Sequence, residues 1–215
     1  MAKRLARKRV VRKREQKKAA PRKTAASDLT TQNKETRATL TKLFIRQSWR
    51  SNYCAVYSAG MLLSLLGYPT TRKQALRLFG LKASNNGYDG TTHQLISTVI
   101  SSAADVGHCR WKYCRQFSFY SVLRTLRYHF THTPQPTLIS FGVVHKNGIW
   151  RSRHTALVVG ITNGAIELLD PLANPPRKND TSNVSLRPHK PIFVIGNSYT
   201  IDVRSEVGVL HWLPK

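Results

Sequence analysis

Acidic residues are scarce in this sequence: ten Asp or Glu stand against 35 Lys or Arg in 215 residues, a formal net charge of +25. A field of that sign favours nucleic acid, an anionic membrane surface or an acidic protein as partner, does not choose among them, and says nothing about fold. Cysteine is scarce too. Cys54, Cys109 and Cys114 are the only three, too few and of the wrong parity for a disulfide framework, and they fit a reducing compartment such as the cytoplasm. No apolar run reaches the length of a membrane-spanning helix. The N-terminus lacks the uninterrupted apolar stretch of a secretory signal, although its Arg-rich, acid-poor character leaves organelle targeting, or export into a host or target cell, open.

What charge there is, is unevenly spread. Residues 1–38 hold 14 Lys or Arg against three acids, and residues 39–215 hold 21 against seven. The first segment reads as a flexible basic arm without enough apolar surface to fold, and the second as one well-cored domain that is itself basic.

Within residues 39–215 the helical signals come first. "CAVYSAGMLLSLLGYP" predicts a helix from Cys54 that Ser51 or Asn52 can cap and that Gly67 and Pro69 stop. Thr70 or Thr71 can cap a second helix ending at Gly80. A third is expected over about Thr91–Ala104 and a fourth over Ser118–Tyr128. From Pro136 the pattern changes to strands: "TLISFGVV", "HTALVVGI", a turn at Asn163-Gly164, "AIELLD", "KPIFVIGN" and a short "TIDVR". Helices followed by an antiparallel sheet make an α+β plan. "NPPRKNDTSNVSLRPHKP" reads as a long surface loop.

Four residues of this plan carry chemistry. Cys54 opens a helix, where unpaired backbone N–H groups and the helix dipole both favour the thiolate that attacks carbonyl carbon. A buried cysteine at the start of an apolar helix is also an ordinary core residue. His154 leads a strand and can face that helix terminus, where an imidazole can take the thiol proton and return one to a leaving amine. Asp170 follows a hairpin; counting outward from Asn163-Gly164 brings it to the same sheet edge as His154, the place for a carboxylate that fixes the imidazole tautomer. Gln47, seven residues before Cys54, can offer its amide N–H₂ to a developing oxyanion beside the Cys54 backbone N–H.

Three segments together, "RQSWRSNYCAVYSAGMLLSLLGYP", "NNGYDGTTHQLISTVI" and "RHTALVVGITNGAIELLDP", resemble the papain-like cysteine peptidases, and most of all the branch that trims double-glycine leaders from bacteriocin precursors. The resemblance implies a papain-like fold, with an N-terminal helical half packed against a C-terminal antiparallel sheet. It implies a Cys54–His154–Asp170 triad with Gln47 at the oxyanion, a peptide or isopeptide substrate and no cofactor. The chain departs from the family at Tyr53 and Ala55, where an acidic residue and a glycine are usual. Its glutamine stands one residue further from the cysteine, and the Cys54-to-His154 segment is longer than is typical.

The same residues leave two other readings open: a glutamine deamidase or transglutaminase with the same nucleophile, and a basic nucleic-acid-binding protein in which Cys54 is structural. "HCRWKYCRQFSFY" interleaves basic and aromatic residues as a base-stacking groove does, and equally as a helix or loop with an aromatic underside. His108, Cys109 and Cys114 lack a second ligand pair, so no metal site is expected there. Arg151 and Arg153 flank the candidate base, where they can hold an acidic substrate residue or a C-terminal carboxylate, or stand as solvated loop arginines.

Overall fold

A computed structural model describes residues 42–47, 51–82, 91–103, 108–115, 118–133, 135–145, 151–176, 182–187, 199–202 and 204–213. The arm expected over residues 1–38, the strand expected at 190–197 and much of the Asn/Gly-rich loop before residue 91 lie outside them.

Among the described residues three helices come first: α1 (Cys54–Leu65), α2 (Arg72–Leu78) and α3 (His93–Ala103). The α1 core is apolar on every side, and Val56, Tyr57, Ala59, Met61, Leu62 and Leu63 are all buried. An all-round apolar helix is an interior helix, and α1 lies between α2, α3 and the sheet. Its N-cap is Tyr53 with no side-chain cap, not Ser51 or Asn52, so its start is held by tertiary packing. Its end is as expected: Gly67 takes φ +92° and the Tyr68 N–H reaches back to the Leu63 carbonyl at 3.0 Å, a Schellman stop that a side chain would strain. Thr71 and Gln74 cap α2 reciprocally.

Among the described residues the sheet has seven strands: β1 (Cys109–Cys114), β2 (Thr137–His145), β3 (Arg151–Thr162), β4 (Ala165–Leu169), β5 (Val184–Leu186), β6 (Tyr199–Ile201) and β7 (Val207–Trp212). The main order is β1-β7-β2-β3-β4-β5, with β6 also paired to β2, and every pairing is antiparallel. The helix α4 (Phe119–His132) enters between β1 and β2 in the chain. Leu138, Leu157, Leu169 and Leu210 face α1–α3, while Ile139, Val158, Leu168 and Val209 face a second core built on Val122, Leu126 and Phe130 of α4. Strand alternation thus supplies one core per sheet face.

The fold is therefore α+β, with the N-terminal helices against an antiparallel sheet. Three details correct the sequence reading. "CRWKYC" is an edge strand and not a helix or loop, because pairing with β7 uses its backbone. The segment read as a long loop contains β5, paired to β4. The strand β7, whose apolar residues are covered on both faces and so show little alternation, was not anticipated.

Candidate active site

The start of α1 meets the middle of β3. Ser58 Oγ donates to the Thr155 carbonyl at 2.9 Å, and one turn earlier Cys54 Sγ lies 4.0 Å from the Arg153 carbonyl. Residues four apart on a helix and two apart on a strand therefore run side by side. Both Ser58 and Thr155 are buried. Cys54, the first residue of α1, keeps a backbone N–H with no acceptor inside its own helix.

His154 sits in β3, three residues past its start at Arg151, and is not at the strand's first position. His154 is 2% exposed, and its ring packs edge-on to Phe141, its register partner on β2, at 5.7 Å. Nε2 is 2.9 Å from Asp170 Oδ1, which leaves Nδ1 as the ring nitrogen for Cys54. Burial works against the imidazolium, but the charges of Asp170 and Cys54 and hydrogen bonds with both outweigh it and raise the His154 pKa to about 10.

His154 and Asp170 share a face because of an irregularity in the hairpin. Near the turn the register pairs Thr162 with Ala165 and Gly160 with Glu167; beyond a bulge between Val158 and Gly160 it pairs Val158 with Leu168 and Leu157 with Leu169. Continued one step, the shifted register sets Asp170 opposite Ala156, on the face that carries His154 and diagonal to it. Without the extra residue Asp170 would point to the other face.

Asp170 is fully buried, and its Oδ1 also accepts from the Leu172 N–H at 2.8 Å. Asn183, just before β5, grips its backbone from both sides. Asn183 Oδ1 accepts from the Asp170 N–H at 2.8 Å, and Nδ2 donates to the Asp170 carbonyl at 2.9 Å and the Asn174 carbonyl at 3.0 Å. Sequence reasoning missed Asn183 and Ser58, since a polar residue in a loop and a serine in an apolar helix give no signal until their partners are known. Asn174, four residues past Asp170, accepts at Oδ1 from Arg46 at 3.2 Å.

Gln47 is buried, and its N–H donates to the Pro171 carbonyl at 2.7 Å, which ties it to the residue after Asp170. Its side-chain amide donates to the Ser51 carbonyl, three residues before Cys54. One of its two amide hydrogens is thus committed to the loop that leads into α1.

The two other cysteines stand apart. Cys109 is buried, with Sγ 3.4 Å from Ser101 Oγ, and the half-buried Cys114 has Sγ 3.9 Å from Thr125 Oγ1. "CRWKYC" places Trp111 and Tyr113 against His93 at the start of α3: the His93 and Trp111 rings stack at 4.2 Å, and His93 Nδ1 is 3.0 Å from the Tyr113 hydroxyl.

No protein-family model and no curated protein sequence matches the chain. Among solved structures it is similar to UfSP from C. elegans, at 16% identity and a TM-score of 0.48 over 80% of this chain and 32% of that one. It is also similar to the interpain A cysteine protease of Prevotella intermedia, at 9% identity and a TM-score of 0.44 over 66% of this chain and 55% of that one. The chain spans about a third of the length of the first and about half of the second.

Proposed function

We propose that the protein is a papain-like cysteine peptidase that hydrolyses a peptide or isopeptide bond. The carrying observation is the buried His154 ring, held by Asp170 at 2.9 Å through Nε2, beside the helix-opening Cys54, whose Sγ lies 4.0 Å from the carbonyl of the preceding Arg153 and whose charge raises the His154 pKa. In this reading His154 takes the Cys54 proton and the thiolate attacks the carbonyl carbon. The oxyanion draws on the Cys54 backbone N–H and the second amide hydrogen of Gln47. The imidazolium then protonates the leaving amine, and water, deprotonated by His154, releases the acyl group and regenerates the thiol. Asp170 holds the ring throughout, and Asn183 and Ser58 hold Asp170 and α1 in place. The leader-trimming branch is a finer reading that rests on the three sequence segments alone. In the same reading the basic N-terminal residues dock the enzyme on an anionic partner.

The test is alkylation and turnover of the full chain. Iodoacetamide labels Cys54 in preference to Cys109 and Cys114, and His154→Ala suppresses that labelling. Peptides, double-glycine sequences among them, are cleaved by the wild type, and Cys54→Ala reduces cleavage to background with the circular dichroism spectrum unchanged. Product masses separate hydrolysis from glutamine deamidation or amine transfer. Cleavage that survives Cys54→Ala removes the mechanism. A Cys54 no more reactive than the other two thiols, together with salt-sensitive nucleic-acid binding, puts a binding protein in its place.

A further inference from the structure

The residue that lies alongside the nucleophile also carries an exposed cation. Arg153 precedes His154, and its carbonyl is 4.0 Å from Cys54 Sγ. Strand alternation sends its side chain to the face opposite His154, toward the start of α3 and the β1 edge. It is exposed, and its guanidinium donates at 3.0 Å to a neutral acceptor, the Glu206 carbonyl. Among the described residues no carboxylate forms an ion pair with it.

Beside the guanidinium lies a rigid aromatic shelf. Trp111 stacks on His93 and donates from Nε1 to the His93 carbonyl at 2.7 Å. Tyr113, 46% exposed, reaches the His93 ring with its hydroxyl. The shelf lies flat on β7 because Gly208 has no side chain: a Cβ there would stand 2.8 Å from the Trp111 ring and 3.2 Å from His93.

Arg153 and Glu206 both act on this shelf. Burial first, then the Arg153 charge, lowers the His93 pKa to about 4, so the imidazole is a neutral wall. The Glu206 carboxylate acts on Tyr113, where it and burial work against the Arg153 charge. The Arg153 charge thus acts on both His93 and Tyr113.

We infer that Arg153, walled by His93, Trp111 and Tyr113, is a subsite for a carboxylate carried by the substrate next to the bond that Cys54 attacks. The inference rests on the peptidase reading above and adds to it a chemical class of substrate. The Arg153 backbone is 4.0 Å from Cys54 Sγ, and an extended chain advances about 3.5 Å per residue, so a substrate residue within a few positions of the scissile bond is in range of the Arg153 side chain. The unpaired donors of the guanidinium fork match a carboxylate in two-point geometry. That carboxylate belongs either to an Asp or Glu side chain or to the substrate's own C-terminus.

The experiment is digestion of a proteome-derived peptide library by the full-length protein, with cleavage sites read by mass spectrometry. Each peptide is offered both as the free acid and as the C-terminal amide. The expected result is an enrichment of Asp and Glu at one fixed position near the cut, on the order of threefold, the scale of an exposed ion pair. Free acids alone, cut near their ends, would assign the subsite to the C-terminus, and that outcome also supports the inference. Arg153→Gln abolishes the enrichment and Arg153→Glu inverts it toward Lys and Arg. Both are ratios within one digest, so a general loss of rate next to His154 does not mimic them. Two results overturn the proposal alone: cleavage by the wild type with no acidic or C-terminal preference, or a preference unchanged in Arg153→Glu. Absence of cleavage together with an unreactive Cys54 overturns the peptidase reading and this inference with it.

Discussion

His154 is the residue on which the site's electrostatics turn, and its linkage to stability has a definite sign. Its folded pKa, about 10, lies above the ordinary value of 6.5. Between those values the folded chain binds the more protons, so stability falls as pH rises through the window and the contribution is complete below about pH 6.5. His93 and His211 behave oppositely. Burial, followed by nearby positive charge, lowers each to about 4, so their contribution is lost as pH falls from 6.5 toward 4. Asp170→Asn removes the anion beside His154 and nothing from the other two. Urea midpoints measured from pH 4 to pH 10 are therefore expected to fall on both sides of a maximum in the wild type. In Asp170→Asn the alkaline fall should flatten and the acid fall remain. An alkaline limb identical in both proteins would show that Asp170 is not what raises His154.

At the scale of elements, the site depends on how closely α1 can approach its neighbours. A Cβ on Gly60 would stand 2.9 Å from Ala75 Cβ on α2 and 3.2 Å from Ile45 Cδ1. Ala75 is fixed to its own backbone, so the overlap can be relieved only if α1 or α2 moves. Helix propensity favours alanine by about 1 kcal/mol, but overpacking costs roughly 1–3 kcal/mol. Gly60→Ala should therefore lose about 1 kcal/mol, read as a lower urea midpoint at unchanged slope. Because Ile45 is two residues from Gln47, Cys54 alkylation should slow as well; a midpoint at or above wild type would show that the helices separate freely.

The same packing explains what could be read in advance. Local rules set the C-terminal end of α1 and both ends of α2, since Gly67, Thr71 and Gly80 act on their own turns. The His154–Asp170 pairing was half legible. The Asn163-Gly164 turn makes their strands neighbours, but the bulge between Val158 and Gly160 decides that both side chains share a face, and nothing in "ALVVGI" announces it. β5 and β7 were hidden because short strands in polar or uniformly apolar surroundings have no period to detect. Ser58 and Asn183 act through residues 97 and 13 positions away, and pairing at such separations is not written in local sequence.

For the whole molecule, charge and chemistry occupy different parts of the chain. The candidate triad and its supports all lie between Gln47 and Asn183, whereas residues 1–38 contribute 14 of the 35 Lys or Arg. A chain in which the arm serves docking and the body serves turnover can be divided by deletion. Removing residues 1–38 should leave the rate of Cys54 alkylation unchanged. Binding to a polyanion such as heparin or to vesicles containing anionic lipid should weaken without vanishing, because residues 39–215 still hold 21 basic residues against seven acids. Binding that depends on displaced counterions weakens as salt rises, in proportion to the number of charges engaged. Affinity measured over a salt series should consequently give a shallower slope for the truncated chain than for the full one. Equal slopes would mean that the arm does not touch the polyanion, and a fall in Cys54 reactivity would mean that it supports the site.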